Sequence, residues 1–303
     1  MGKMKFCVLD IGGTFIKGAI MDENSNIIER MKVKSDCSSL EALLSGLDEI
    51  IAPVAESAEG IAVSMPGKID CEKGIARTGG AFTFIKDLPI VSILEEKYHL
   101  PVAVENDGKA AASAENWIGA LKDVKNGLVF IFGTGIGGGI IMNNQVIKGS
   151  HFAAGELSLC LMNKDVEGFQ YSNMISMVSS TNGLLGIYQT MSGMEEKVDG
   201  VEFFRRANEG KETALEALRR FGRITANYIF DLQVVLDVDR VAIGGGISEQ
   251  PLLLQILNEE LDKAYDTPFP LPCVRPQLVK CRFGNDANLI GALKGLLDSG
   301  KLR

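Results

Sequence analysis

The sequence has little of the material from which disulfide-bonded and zinc-binding proteins are built. Its 303 residues include only two histidines, His99 and His151, and six cysteines that form no C-x-x-C pair. This pattern argues against a disulfide framework and against a Cys- or His-based metal site. We therefore expect no zinc, and we expect most cysteines to be small core residues in a reducing cytosol.

Long apolar runs and blocks of positive charge are also missing. No stretch of eighteen apolar residues predicts a transmembrane helix, and the first apolar run meets Asp10 after four residues, unlike a signal peptide. The net charge is −8, and no Lys or Arg cluster favours nucleic-acid or membrane partners. With 46% hydrophobic residues, the chain suits a cytoplasmic globular protein of about two domains.

A glycine turn between two apolar runs opens the chain. Residues 5–9 and 16–21 predict strands, and the turn between them holds Asp10, Ile11, Gly12, Gly13 and Thr14. Adjacent glycines let backbone N–H groups approach a bulky anion, to which Thr14 adds a hydroxyl and Lys17 a cation. Asp10 suits such a site if a divalent cation separates it from phosphate. A tight hairpin with an acidic corner is the alternative.

Two further glycine turns follow predicted strands. Residues 128–132 lead into the glycine run 133–139 and a second apolar run, which repeats the opening order of elements. Residues 133–138 also match G-x-G-x-x-G, but a dinucleotide fingerprint must open a helix, so we reject that interpretation. The third turn, 244–246, follows a strand and precedes a helix. Strands and helices alternate along the chain, which indicates the α/β class.

A short acidic segment lies at the end of another predicted strand. Residues 101–104 run directly into Glu105, Asn106 and Asp107, and an alanine-rich helix is predicted from 109 to 121. A carboxylate in this place can act as a general base. The alternative is that Asp107 only caps the helix, since Asp is a favoured N-cap residue.

With these motifs assembled, the sequence resembles the ROK family of sugar kinases over essentially its whole length. The motifs that carry the resemblance are Asp10 to Thr14, Pro66-Gly67, Glu105-Asn106-Asp107, Gly133 to Gly139, Ala154-Gly155-Glu156, Gly244 to Ile247, and Gly291-Ala292. The resemblance implies an actin-like ATPase (ribonuclease H-like) α/β fold of two domains with a central cleft. We expect one domain from residues 1–118 with 287–303, and the other from residues 119–286.

The resemblance also implies roles for individual residues. Those implied to bind ATP are Asp10, Gly12, Gly13, Thr14, Lys17, Thr134, Gly135, Gly244, Gly245 and Gly246, with Asp10 holding Mg²⁺ through water. Those implied to bind the sugar are Gly67, Gly79, Gly80, Asn106, Asp107 and Glu156. Asp107 matches the family's catalytic base, and phosphoryl transfer to a sugar hydroxyl needs a carboxylate that accepts the hydroxyl proton.

Two departures from the family pattern bear on the acceptor. Most members carry a Cys-rich zinc loop and a histidine three positions past the Glu, where this chain has Leu159 and a solitary Cys160. Residues 78–82 lack the asparagine of glucose-type members. Both features resemble the family's β-glucoside kinases, which phosphorylate the 6-hydroxyl of the non-reducing glucose of disaccharides such as cellobiose. Some aromatic side chains near these positions can stack on a second sugar ring, although we expect most of them to be core residues. The candidates are Phe82, Phe84, Phe152, Phe169 and Tyr171.

The alternatives are a glucokinase or an N-acetylmannosamine kinase that has lost zinc, and a sugar-sensing regulator without activity. A repressor would carry an N-terminal helix-turn-helix domain, and we expect none because the first strand begins at residue 5. Retention of Asp107 and of the glycine turns argues against an inactive sensor. A filament or chaperone of the same fold is disfavoured by the short chain and by Glu156. We expect a sugar and ATP as partners, and a homodimer.

Overall fold

The structure is a computed structural model that describes residues 4–163, 165, 167–193, 195 and 197–302. Its described residues divide into two compact units. The first unit holds residues up to 119, residues 145–154 and residues from 285 onward, and the second holds residues 120–144 and 155–284. Residues 145–154 thus group with the first unit, whereas the sequence division places them with the second.

The first unit combines a five-stranded sheet, a small hairpin and helices. Its strands are β1 (Lys5–Ile11), β2 (Phe15–Asp22), β3 (Ile27–Lys34), β4 (Ile61–Met65), β5 (Ile69–Asp70), β6 (Ile75–Ala76) and β7 (Val102–Asn106). Its helices are α1 (Leu40–Ile51), α2 (Ile90–Tyr98) and α3 (Asp107–Trp117), together with a C-terminal helix, α8 (Ala287–Asp298). The short strand β10 (Gln145–Val146) also falls in this unit.

The sheet of the first unit brings three strand ends to one edge. Its order is β3-β2-β1-β4-β7, with β1, β4 and β7 parallel. In register, Asp10 pairs with Ser64, and Ser64 pairs with Glu105. Since neighbouring strands lie about 4.8 Å apart, Asp10 and the Glu105–Asp107 segment are separated by about two strand spacings, ~10 Å.

Helix α3 is held against the C-terminal helix by small residues. All four of its alanines are buried, and Gly291 of α8 faces it. A Cβ atom at Gly291 would lie 1.7 Å from the carbonyl oxygen of Ala110, so only glycine allows this approach. The close approach sets the position of α3, whose first residue is Asp107.

The second unit packs helices on another sheet. Its strands are β8 (Gly127–Phe132), β9 (Ile136–Met142), β11 (Arg240–Gly244) and β12 (Gln277–Lys280), in the order β9-β8-β11-β12. Its helices are α4 (Thr181–Ser192), α5 (Gly200–Asn208), α6 (Glu212–Leu236) and α7 (Pro251–Tyr265). The core contains an aromatic cluster in which the Phe132 and Phe221 ring centroids lie 5.3 Å apart.

The predicted strand–turn–strand repeat is confirmed by β1–β2 and β8–β9, which are both antiparallel pairs. The expectation that most cysteines lie in the core is wrong, because only Cys7 and Cys281 are buried. Burial raises the pKa of the Cys7 thiol to about 12. Among the described residues, none of the helices is both long enough and apolar enough to cross a membrane.

Candidate active site

Asp10 is fixed at the end of β1 by three neighbouring side chains. It is only 5% exposed. Lys17 Nζ lies 3.2 Å from Oδ2, while Asn288 Nδ2 and Ser64 Oγ donate to Oδ1 over 3.0 and 3.3 Å. Sequence reasoning identified Asp10 and Lys17 but missed the other two partners. The strand-end position of Ser64 was the available signal for that residue, whereas nothing local pointed to Asn288.

The turn after Asp10 presents an open backbone. Gly12 N donates to the Phe15 carbonyl over 3.0 Å, which closes the turn between β1 and β2. A Cβ at Gly13 would lie 3.0 Å from the Ala81 Cβ, so a larger residue would disturb both segments. Gly13 and Thr14 are exposed. Exposed backbone N–H groups, a hydroxyl and the Lys17 cation together suit an anionic ligand.

Asn106 and Asp107 form a hydrogen-bonded pair where β7 becomes α3. The N-cap of α3 is Asn106, whose Oδ1 accepts from Lys109 N over 3.1 Å. The interpretation of Asp107 as the cap is therefore wrong, because Asp107 is already the first helical residue. Its Oδ1 accepts from Asn106 Nδ2 at 3.0 Å and from Gly108 N at 2.8 Å. These two donors fix the rotation of the carboxylate.

The same asparagine ties α3 to the loop after β4. Asn106 Nδ2 also donates to the Gly67 carbonyl oxygen over 2.9 Å. Gly67 has a φ of 102°, and a Cβ there would lie 2.2 Å from the carbonyl oxygen of Thr78. Gly79 and Gly80 follow Thr78, so the predicted sugar-binding residues of the first unit lie close together. Only glycine at position 67 permits this approach.

An ion pair between Glu105 and Lys148 stabilises the segment Glu105–Asp107. Glu105 is buried, with Oε1 accepting from Asn106 N at 2.9 Å and Oε2 lying 2.7 Å from Lys148 Nζ. Lys148 Nζ also donates to Cys71 Sγ over 2.9 Å. Burial acts to lower the pKa of Lys148, but the interactions with Glu105 and Cys71 outweigh it, so the pKa of Lys148 is raised. No local sequence pattern pointed to this cluster, because its members lie on three separate segments.

The other two glycine turns meet inside the second unit. Gly133 N donates to the Gly135 carbonyl over 2.9 Å, which shapes the turn that carries Thr134. Gly245 has a φ of 92°, and a Cβ there would lie 2.1 Å from the Phe132 carbonyl oxygen. The turn after β11 thus packs on the end of β8, beside the turn at residues 133–135. Gly246 is exposed, and an added Cβ there meets nothing within 4 Å.

Glu156 lies in a different part of the second unit. It is exposed and precedes a short 3₁₀ helix, Leu157–Leu159, whose first carbonyl oxygen accepts from Tyr228 Oη over 2.8 Å. Leu159 is 49% exposed. Gly155 has a φ of 79° and packs on Gly139 of β9. The position of Glu156 is therefore set by packing of Gly155 on Gly139, the last residue of the glycine run 133–139.

The five aromatic candidates separate into three groups. Phe82 is fully buried core, as expected, while Phe84 is half-buried and packs edge-on against it, with ring centroids 6.1 Å apart. Phe152 is half-buried in the first unit. Phe169 and Tyr171 are exposed in the second unit and form an edge-to-face pair with centroids 5.3 Å apart.

The site offers one carboxylate to a magnesium ion. Within the described part of the chain, no three His, Cys, Asp or Glu side chains are grouped so that they could hold a metal. Mg²⁺ commonly keeps several waters and binds through one or two carboxylates together with substrate phosphates. The buried carboxylate of Asp10, beside an exposed glycine turn, fits that kind of binding.

Several known proteins resemble this chain over most of its length. A model of the ROK family matches residues 6–298. A beta-glucoside kinase of Klebsiella pneumoniae is 32% identical over 96% of this chain and 95% of its own length. An N-acetylmannosamine kinase of Haemophilus influenzae is 27% identical over 95% and 94%. The crystal structure of a ROK family protein from Streptococcus pneumoniae in complex with sucrose has a TM-score of 0.87 at 29% identity and covers 98% of this chain and 99% of that one.

Proposed function

The chain belongs to the ROK family and is a carbohydrate kinase with the actin-like ATPase fold, and we propose that its acceptor is a β-glucoside. The enzyme would transfer the γ-phosphoryl group of ATP to the 6-hydroxyl of the non-reducing glucose of a disaccharide such as cellobiose. The observation that carries the acceptor assignment is the exposed Leu159, where the family pattern has a histidine. The name of the Klebsiella relative supports it.

Asp107 is proposed as the general base. Two donors, Asn106 Nδ2 and Gly108 N, hold its Oδ1, so the carboxylate is oriented before a sugar binds. It would accept the proton of the 6-hydroxyl while that oxygen attacks the phosphorus atom. The bond between Asn106 and the Gly67 carbonyl places the loop at 67–80 beside the base.

ATP is proposed to bind to the three glycine turns. The turn of Gly12, Gly13 and Thr14, in which Gly13 and Thr14 are exposed, and the turn at Thr134-Gly135 would bind the phosphates. Gly244 to Gly246 would let the adenosine lie against the backbone. When bound, Mg²⁺ would neutralise negative charge on the phosphates, and Asp10 would hold it through water. Lys17, paired with Asp10, would add positive charge beside the phosphates.

An N-acetylmannosamine kinase is the second candidate, since the Haemophilus relative carries that name. A glucokinase is the third. For both of them the acceptor is a single ring, and a polar anchor near its anomeric carbon would be useful. The exposed leucine at position 159 cannot serve as that anchor, which favours an acceptor that continues beyond the anomeric oxygen. The predicted homodimer and cytoplasmic location stay predictions from the sequence.

The test is a comparison of kcat/KM for cellobiose, glucose and N-acetylmannosamine with one enzyme preparation. A free monosaccharide would leave one hydrogen-bonding partner unmatched, at a cost of about 1–3 kcal/mol. We therefore expect cellobiose to be preferred by roughly ten-fold to more than a hundred-fold. A value for glucose equal to or above that for cellobiose would reassign the chain as a glucokinase, and a preference for N-acetylmannosamine would support the second candidate.

A further inference from the structure

Lys148 is fixed between two other segments of the first unit, although the proposed contacts of ATP and of the sugar do not include it. Its Nζ lies 2.7 Å from Glu105 Oε2 and donates to Cys71 Sγ over 2.9 Å. Its main chain is fixed as well, because its carbonyl oxygen accepts from Ala154 N over 3.1 Å and closes the loop 148–154. A lysine side chain loses much rotamer entropy when it is held in this way, so the contacts must compensate for that cost.

The two partners of the Lys148 ammonium group differ in charge. Burial, together with the nearby Glu105, raises the pKa of the Cys71 thiol, which therefore stays neutral at pH 7 and is a weak acceptor. Glu105 is only 8% exposed. A buried carboxylate is costly unless an opposite charge and hydrogen bonds compensate it. Lys148 supplies the charge at Oε2, and Asn106 N supplies a hydrogen bond at Oε1.

The bond at Oε1 of Glu105 constrains the segment that carries Asp107. It joins Glu105 to the main chain of Asn106 over 2.9 Å. Strand β7 is at the edge of its sheet, where β4 is its partner among the described strands, so this bond adds a constraint on its free side. The Asn106 side chain then caps α3 and donates to Asp107 Oδ1. A change at Glu105 thus reaches the carboxylate of Asp107 through a single residue.

We propose that Lys148 is a positioning residue for phosphoryl transfer. Its ammonium group holds the buried carboxylate of Glu105, and Glu105 fixes the main chain of Asn106, the residue that orients Asp107. The inference rests on the proposed role of Asp107 as the general base and adds the group that keeps this base aligned. Alignment matters for rate, because a displacement of ~1 Å can lower it by about 10²-fold.

The first experiment replaces Lys148 with methionine, which keeps the apolar stem and removes the charge. Lys148→Met should lower kcat by about ten- to a hundred-fold, while the Kd for ATP in calorimetry stays at the wild-type value. The acceptor is whichever of cellobiose, glucose and N-acetylmannosamine reacts fastest. Lys148→Arg should restore kcat to within about five-fold of wild type, because a guanidinium also pairs with a carboxylate. A loss below about ten-fold in the methionine variant, a Kd for ATP that rises with the loss, or no rescue by arginine overturns the inference.

Lys301→Met is the matched control, because it breaks a similar ion pair at the other end of the same strand. Lys301 Nζ lies 2.7 Å from Glu95 Oε1 and donates to the Val102 carbonyl over 2.8 Å. Glu95 Oε1 also accepts from Val102 N over 3.1 Å, so this pair fixes the start of β7. Lys301→Met should keep the wild-type kcat even if its melting temperature falls. An equal loss of kcat in both variants would show a general loosening of β7 and contradict a specific role of Lys148.

A double variant tests whether Lys148 acts through Glu105. In Glu105→Gln the amide oxygen turns toward the Lys148 cation, so Asn106 N loses its acceptor and kcat falls. In Glu105→Gln/Lys148→Met no cation competes, and the amide oxygen accepts from Asn106 N without a buried charge. The kcat of the double variant should exceed that of either single variant by about three-fold or more, since residues in contact are not additive. A double variant no faster than the slower single variant would show that Lys148 acts directly.

Variants of Asp107 separate this inference from the role on which it rests. If Asp107→Asn keeps more than about a tenth of the rate, the base assignment fails and the positioning role fails with it. If Asp107→Asn is inactive but Lys148→Met has the wild-type kcat, the base assignment stands and only the positioning role fails. Added to Asp107→Asn, Lys148→Met should cost less than about three-fold more, because residues that act as a unit are not additive. A further loss of about ten-fold or more would show an effect independent of Asp107.

Discussion

Asp107→Asn replaces one carboxylate at the start of α3 with an amide of nearly the same size. The structure separates the catalytic role of this residue from a structural one, because the cap of the helix is Asn106. The bond from Lys109 N to Asn106 Oδ1 does not involve Asp107 and survives the substitution. An amide oxygen can also still accept from Gly108 N.

The expected effects on stability and on rate differ greatly in size. The fold loses the interaction of a negative charge with the first turn of a helix, about 0.3–1 kcal/mol. For a protein of this size, the melting temperature should fall by no more than about 2–4 °C. Loss of a general base lowers the turnover rate by about 10²–10⁴-fold. Nucleotide binding should persist, because the proposed ATP contacts lie on other residues.

The assay is ATP consumption with cellobiose, together with calorimetric titration of the nucleotide and a melting curve. Glu41→Gln is the matched control, because it also removes a carboxylate from the first turn of a helix, and that helix, α1, lies outside the site. It should keep the wild-type rate. An Asp107→Asn enzyme that retains more than about a tenth of that rate would show that Asp107 is not the base, since the loss would be well below the general-base range.

The remaining predictions concern the turns and the metals. Gly245→Ala should lower the free energy of unfolding by about 1–3 kcal/mol, since its φ is 92°. Gly246→Ala is the control, and equal denaturation midpoints for the two variants would contradict the reasoning. Asn288→Ala removes a donor to Asp10 and should raise, by about two- to ten-fold, the Mg²⁺ concentration needed for half-maximal nucleotide binding in calorimetry; an unchanged Mg²⁺ dependence would argue against this role. Elemental analysis should find no stoichiometric zinc, and about one zinc per chain would refute that expectation.

The local elements were predictable from the sequence because they depend on residues that are neighbours in the chain. A glycine turn between two apolar runs predicts a pair of neighbouring strands. The first strand of one predicted pair spans residues 5–9, and the first strand of the other spans residues 128–132. The structure has both pairs. The end of β7 and the start of α3 were also readable within a few residues. Even there, the choice between Asn106 and Asp107 as the cap needed the backbone geometry, because both residue types favour that position.

Only the tertiary structure decided which side chains meet. Asn288 bonds to Asp10 across 278 positions of sequence, and Lys148 reaches Cys71 across 77. The sequence around Gly291 does not show that α3 packs against this glycine, which the structure does. Periodicity tells which face of an element is buried, but the partner on that face depends on the path of the whole chain and on close packing, which no local pattern encodes.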